Sequence, residues 1–122
     1  MSDDQSDVSP RVLERLGDLL DHASAVARLV GRGRPAYDAD EMMRFASESL
    51  IIRLGECVDR IDKADPGFVA AHPDLELRQL KNTRNLIAHG YDIVDYGLVW
   101  QVMETNIPMV AEQVAGLLAS VA

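Results

Sequence analysis

The stretch Ser9–Gly31, SPRVLERLGDLLDHASAVARLVG, decides the fold class. Val12, Leu16, Leu19, Leu20, Ala23, Val26, Ala27 and Val30 recur at spacings of three and four, the signature of a helix with one buried face. Ser9 suits an N-cap. Pro10 suits the first helical position, where the N–H it lacks would have no partner. The expected helix runs from about Pro10 to Val30. GRGRP then ends it, with Gly31 able to take a left-handed cap.

The same period continues through the chain, and alternation of period two never persists, so the expected fold is all-α. A second helix is expected from about Ala39 to Ile61, capped by Asp38 with Glu41 three residues on. Its buried line is Met43, Ala46, Leu50, Leu54, Val58 and Ile61. Met42, Phe45, Ile51 and Ile52 widen that line, which points to burial on more than one side and to an oligomer interface. DKADPGFVAAHPD reads as a long loop with a turn at Pro66-Gly67. A third helix is expected from near Asp74 to near His89, stopped by Gly90. Leu77, Leu80 and Ile87 face the core, and Arg78, Lys81 and Arg84 form a basic strip on the exposed side. The last helical region, about Asp95 to Val121, keeps its period through Pro108 and is expected to be one helix kinked there. Four long helices with short connections make an antiparallel bundle of four to five helices.

A chain of 122 residues fits one domain. The expectation is a short flexible acidic tail over residues 1–9 and one helical domain over 10–122. Apolar residues are 48% of the chain and aromatics only 5%, so Leu, Val, Ile, Ala and Met must build the core. The single cysteine, Cys57, cannot form an internal disulfide and is expected in the core. The N-terminus is acidic and polar and no apolar run approaches a membrane span, so a soluble cytoplasmic protein is expected. The formal net charge of -8 argues against nucleic-acid binding, since phosphate contacts need Lys and Arg. The basic residues gather, however, at Arg28, Arg32 and Arg34 and again at Arg78, Lys81 and Arg84.

That second cluster leads into RNLIAHGYD, Arg84–Asp92. Five residues along a helix turn about 140° and rise roughly 7.5 Å, so Arg84 and His89 share no face of a straight helix. They converge if the helix ends at His89 or if a second copy supplies the partner. The carbonyl end of a helix favours the cationic form of His89, which suits a general acid. Arg84 offers a fixed planar cation suited to a phosphate. RNA cleavage by internal 2′-OH attack needs a base, an acid and such a cation, and no metal or other cofactor. Two chains about a two-fold axis would supply two histidines and two arginines to one groove. The same residues also describe an ordinary helix ending, with a basic residue and a histidine near the last carbonyls and a glycine after them.

Arg84, Asn85-Leu86-Ile87-Ala88, His89, Gly90 and Tyr91 together resemble the R-x4-H-x-Y motif of HepT-type toxins, in the HEPN superfamily of small all-helical domains. RLGE, Arg53–Glu56, is similar to the GE-containing stretch of that family's second helix, and LVWQVMETNIPMV, Leu98–Val110, to its final helix. Asn85 after the arginine is common there. Two departures are visible: no aromatic precedes the third helix in HPDLELRQL, and Thr83 stands where methionine often does. The resemblance implies a homodimeric, metal-independent endoribonuclease, the toxin of a type VII-like toxin–antitoxin system, with Arg84 and His89 catalytic at the dimer cleft. It implies as partner a minimal nucleotidyltransferase antitoxin that transfers AMP from ATP to Tyr91. Each AMP adds an anion that could pair with Arg84. Arg78 and Lys81 are RNA-binding candidates.

Other residues carry plainer readings. Glu56 could orient Arg84 or His89, or be a solvated helix residue. His22 and His72 show no metal-ligand spacing with each other or with Cys57. Trp100 is spaced for core packing with Tyr96 and Met103, and Tyr37 and Tyr96 have no special claim. GRGRP is no phosphate-cradling loop, having no strand before it and no GK[ST] after it. Two alternatives to the ribonuclease stay open: a non-catalytic helical partner of a nucleotidyltransferase that helps hold nucleotide or substrate, and a plain dimeric scaffold.

Overall fold

Ser9 accepts a hydrogen bond from the Val12 amide at 3.2 Å, and Pro10 opens a helix that ends at Val30. The computed structural model describes residues 8–89 and 94–121. Residues 1–7 of the expected tail, Gly90 and Tyr91 lie outside them. In chain order the helices are α1 (Pro10–Val30), α2 (Arg34–Ala39), α3 (Glu41–Ala64), α4 (Phe68–Ala71), α5 (Leu77–His89), α6 (Tyr96–Gln101) and α7 (Ile107–Val121). The fold is the expected antiparallel helical bundle. α3 packs between α1 and α5, and α7 closes against α1.

The first turn departs from expectation. Gly31 keeps right-handed helical angles, and the left-handed step falls on Gly33, at φ 92°. That step starts the extra short helix α2, with Pro35 in its first turn. Asp38 therefore does not cap the next helix. It pairs with Arg34 at 2.8 Å, and Asp40 caps α3 by accepting from the Met42 amide at 2.9 Å.

α2 exists because Tyr37 anchors it. Its side chain is fully buried, with its ring 5.0 Å from that of Trp100. The Tyr37 hydroxyl donates to the carbonyl of Tyr96 and meets the Ser47 hydroxyl, both at 3.2 Å. Arg44 donates to the carbonyls of Tyr37 and Asp38 at the end of α2, where a cation suits the helix dipole. Its guanidinium also lies 5.6 Å from the ring centroid of Tyr96.

Two further expectations are corrected. The buried line of α3 runs through Met43, Ser47, Ile51, Leu54, Gly55, Cys57, Val58 and Ile61. Ala46 is exposed and Leu50 half-buried. The helix is covered by α1 on one side and α5 on the other, which is the expected burial on more than one side, with Ile51 inside as expected. The expected loop after α3 holds α4 and a 3-10 turn at Pro73–Leu75, because Phe68, Val69 and Leu75 are core residues that draw the segment inward.

The final helical run is continuous, as its period requires, but its irregularity precedes Pro108. A π turn spans Val102–Asn106, in which the Ile107 amide donates to the Val102 carbonyl. Pro108 has no N–H to donate, and its ring crowds the preceding turn; the wider turn relieves both. Val99, Trp100, Met103, Ile107, Val110, Val114 and Leu117 are all buried, and Cys57 lies in the core as expected.

Candidate functional site

α5 carries the motif because Leu77, Leu80 and Ile87 bury one of its faces against α3. Arg84 sits at the edge of that contact, its side chain only 15% exposed. Its stem lies over Gly55, where an added Cβ would come within 2.5 Å of Arg84 Cβ and Cγ. Glycine at position 55 thus makes the seat for the arginine. Glycine inside a helix costs about 1 kcal/mol relative to alanine, so such a residue calls for a packing reason, and this contact supplies it.

The guanidinium is held along one edge by two groups. Nη2 is 2.9 Å from Asp59 Oδ2, and Nε donates to Asn85 Oδ1 at 2.7 Å. Asp59 also receives Lys81 at 3.3 Å, and Asp62 stands 3.9 Å from the same ammonium. Burial pushes the Asp59 carboxyl upward, but hydrogen bonds from Arg84 and Lys81 outweigh this and hold it below its ordinary value.

The expected exposed basic strip is corrected accordingly. Arg78 is exposed, while Lys81 and Arg84 turn against the acids of α3. Pairing offsets cation with anion, so this face of α5 carries less free positive charge than the sequence suggests.

His89 is the last residue of α5, where the helix was expected to end. Glu56 is exposed and lines a groove of about 620 Å³ along α3 together with His22, Phe45 and Arg60. The carboxylate that reaches Arg84 is not Glu56 but Asp59, one turn further along. Neither Asp59 nor Gly55 was singled out by the sequence reading. The mid-helix glycine was the available signal.

Among the described residues, no group of three or more His, Cys, Asp or Glu side chains is placed to hold a metal ion. No helix among them is long and apolar enough to cross a membrane. His72 bonds the Phe68 carbonyl at 2.9 Å through Nδ1 and stacks on the Phe68 ring, a structural role within α4 and the turn after it.

The family model described as Ribonuclease HepT-like matches residues 19–117, from the middle of α1 to the last turns of α7. The chain belongs to the HepT-like ribonuclease family. Comparison with curated proteins and with solved structures found no match. The matched range includes both halves of the arginine site, Gly55 and Asp59 on α3 and Arg84 on α5, as well as the HepT-like motif through Tyr91.

Proposed function

We propose that this HepT-like protein is a toxin that cleaves RNA without a metal, acting in the cytoplasm as a homodimer. Arg84 and His89 of both copies face a shared cleft. The 2′-oxygen of the substrate attacks the adjacent phosphorus while a base takes the 2′-OH proton. The P–O5′ bond breaks, a general acid protonates the departing O5′, and the products are a 2′,3′-cyclic phosphate and a 5′-hydroxyl. His89 serves as acid or base, and Arg84 offsets the charge that builds on the phosphorane oxygens. Arg78 and Lys81 guide the RNA backbone, and Asn85 supports the site by accepting from Arg84 Nε.

The observation that carries this reading is the arginine's setting. A HepT-like motif ends α5, and its guanidinium is gripped along one edge by Asp59 and Asn85. A cation fixed in this way loses little freedom on meeting a phosphate.

Regulation follows the same chemistry. A minimal nucleotidyltransferase antitoxin joins the Tyr91 oxygen to the α-phosphorus of ATP, and pyrophosphate leaves. The phosphodiester anion so formed competes with RNA for Arg84.

The test is expression of the protein with and without that partner. The intact chain slows growth, and its RNA products carry cyclic phosphate ends even in EDTA. Arg84→Ala and His89→Ala abolish both effects, and intact-mass analysis after co-expression finds AMP on Tyr91. Unchanged toxicity in both variants sinks the reading.

One observation favours the non-catalytic alternative, a helical partner that holds nucleotide for a transferase. Lys81 and Arg84 are already paired with Asp59 in a chain of net charge -8. In that case RNA stays intact while ATP or the transferase binds.

A further inference from the structure

We propose that Asp59 and Gly55 form a positioning device for Arg84, so that the aim of the guanidinium is set from α3 as well as from Asn85 on the motif helix. The inference rests on the ribonuclease reading above.

A long arginine side chain on a helix has many rotamers, and fixing them costs up to about 2 kcal/mol of side-chain entropy. Here two features remove that freedom before substrate arrives. The missing Cβ at Gly55 lets the Arg84 stem lie flat, since any added methyl would stand 2.5 Å from Cβ and Cγ. Asp59, one turn along the same helix, takes Nη2 at 2.9 Å. Asn85 takes Nε at 2.7 Å, so the side of the fork bearing Nε and Nη2 is occupied. Neither contact uses Nη1, the end of the fork assigned to meet a phosphate oxygen.

Lys81 reaches the same carboxylate at 3.3 Å, so Asp59 sits between two cations and carries its charge fully. Glycine and aspartate four residues apart lie on one helical face. RLGECVD, Arg53–Asp59, therefore works as one unit: a seat, then a grip.

The opposite role, a latch in which Asp59 withholds Arg84 from RNA, predicts opposite signs. Removing a negative charge beside the site should strengthen RNA binding whichever role is true. Positioning requires that turnover fall even so.

The experiment uses the full chain, a short fluorogenic RNA, and the variants Asp59→Asn, Asp59→Glu, Arg84→Ala and His89→Ala. Circular dichroism confirms that each is folded. The expected result is a kcat about 10- to 100-fold lower in Asp59→Asn, the scale of a misplaced catalytic group, with KM unchanged or lower. Asp59→Glu restores most of the loss, which a generic structural role would not predict. An independent NMR readout follows the Arg84 Nη2–H resonance, on the nitrogen that meets Asp59, which is sharp and slowly exchanging in the wild type and broad in Asp59→Asn.

A kcat that is unchanged or raised in Asp59→Asn overturns the proposal, as does a sharp Arg84 resonance in that variant. If Arg84→Ala and His89→Ala cleave like the wild type, the ribonuclease reading falls and takes this role with it. That failure is recognisable because it appears in variants that leave Asp59 intact.

Discussion

The Tyr96 hydroxyl donates to Glu48 at 2.6 Å, joining the first turn of α6 to the middle of α3. The bond crosses the bundle from the end of the segment that follows α5 and holds the entry of the final helical run.

Charge makes this bond pH-dependent. The hydrogen bond to Glu48, followed by burial, pushes the Tyr96 phenol up to about 12 from its ordinary 10.0. Because the folded value is raised, the stabilisation is complete below the ordinary value and fades as pH rises through the folded one. Tyr96→Phe should cost about 1–2 kcal/mol at neutral pH. Urea unfolding of wild type and variant should show the gap closing in strong alkali. Ultraviolet difference spectra should show a late, alkaline tyrosine ionisation that shrinks in Tyr96→Phe, the remainder belonging to Tyr37, whose phenol burial also pushes up.

Asp59 behaves in the opposite sense. Its folded value is depressed, so the contacts with Arg84 and Lys81 contribute fully above the ordinary aspartate value of 3.8 and are lost as pH falls through the lower folded value. Thermal midpoints of wild type and Arg84→Met should differ at neutral pH and converge in acid. The gap should be modest, since the side chain of Asp59 is 34% exposed and partly screened.

Gly55→Ala should lower stability even though alanine is the better helix former. The gain in propensity is about 1 kcal/mol, while forcing a methyl into a filled space costs about 1–3 kcal/mol. The overlap at 2.5 Å is with the stem of Arg84, not its flexible tip, so the arginine must move. The measurements are a lower unfolding midpoint and, on the ribonuclease reading, slower RNA cleavage.

Tyr37→Phe removes the hydroxyl that ties α2 to α3 and α6. It strips the Tyr96 carbonyl of that donor and should cost about 1–3 kcal/mol, measured by denaturant titration. Ser47→Ala should cost less, because the tyrosine keeps its bond to Tyr96.

How much of this was legible depended on how many sides of a helix are covered. α1 and α7 each bury one face, and Leu16 and Leu19 stand where periodicity places them, although near the end of α1 Leu29 is buried and Ala27 exposed. α3 is covered by both α1 and α5, and its pattern served only in part: Ile51 lies inside as expected, but Ser47 lies inside too while Ala46 lies outside. α2 escaped notice because its six residues hold one large apolar anchor, Tyr37, too few to show a period. At the site, Arg84 and Lys81 were visible as a basic run. Their partners were not, because Asp59 and Asp62 lie on another helix and only the packing of α3 on α5 brings them near. The RLGE resemblance pointed to the right segment. It gave no hint that the glycine seats the arginine.

The wide turn at Val102–Asn106 has a bearing on chain length. Such a turn accommodates one residue more than a regular helix of the same span. Shortening the chain by one residue at exposed Glu104 or Thr105 would let the ladder close into ordinary pairing, with Trp100 and Val110 still pointing inward. The same deletion in the regular part of α7 would swing every later side chain by about 100° and bring exposed residues into the interior. This turn is therefore slack in the final helical run, a place where a one-residue deletion can be absorbed without disturbing the arginine's seat.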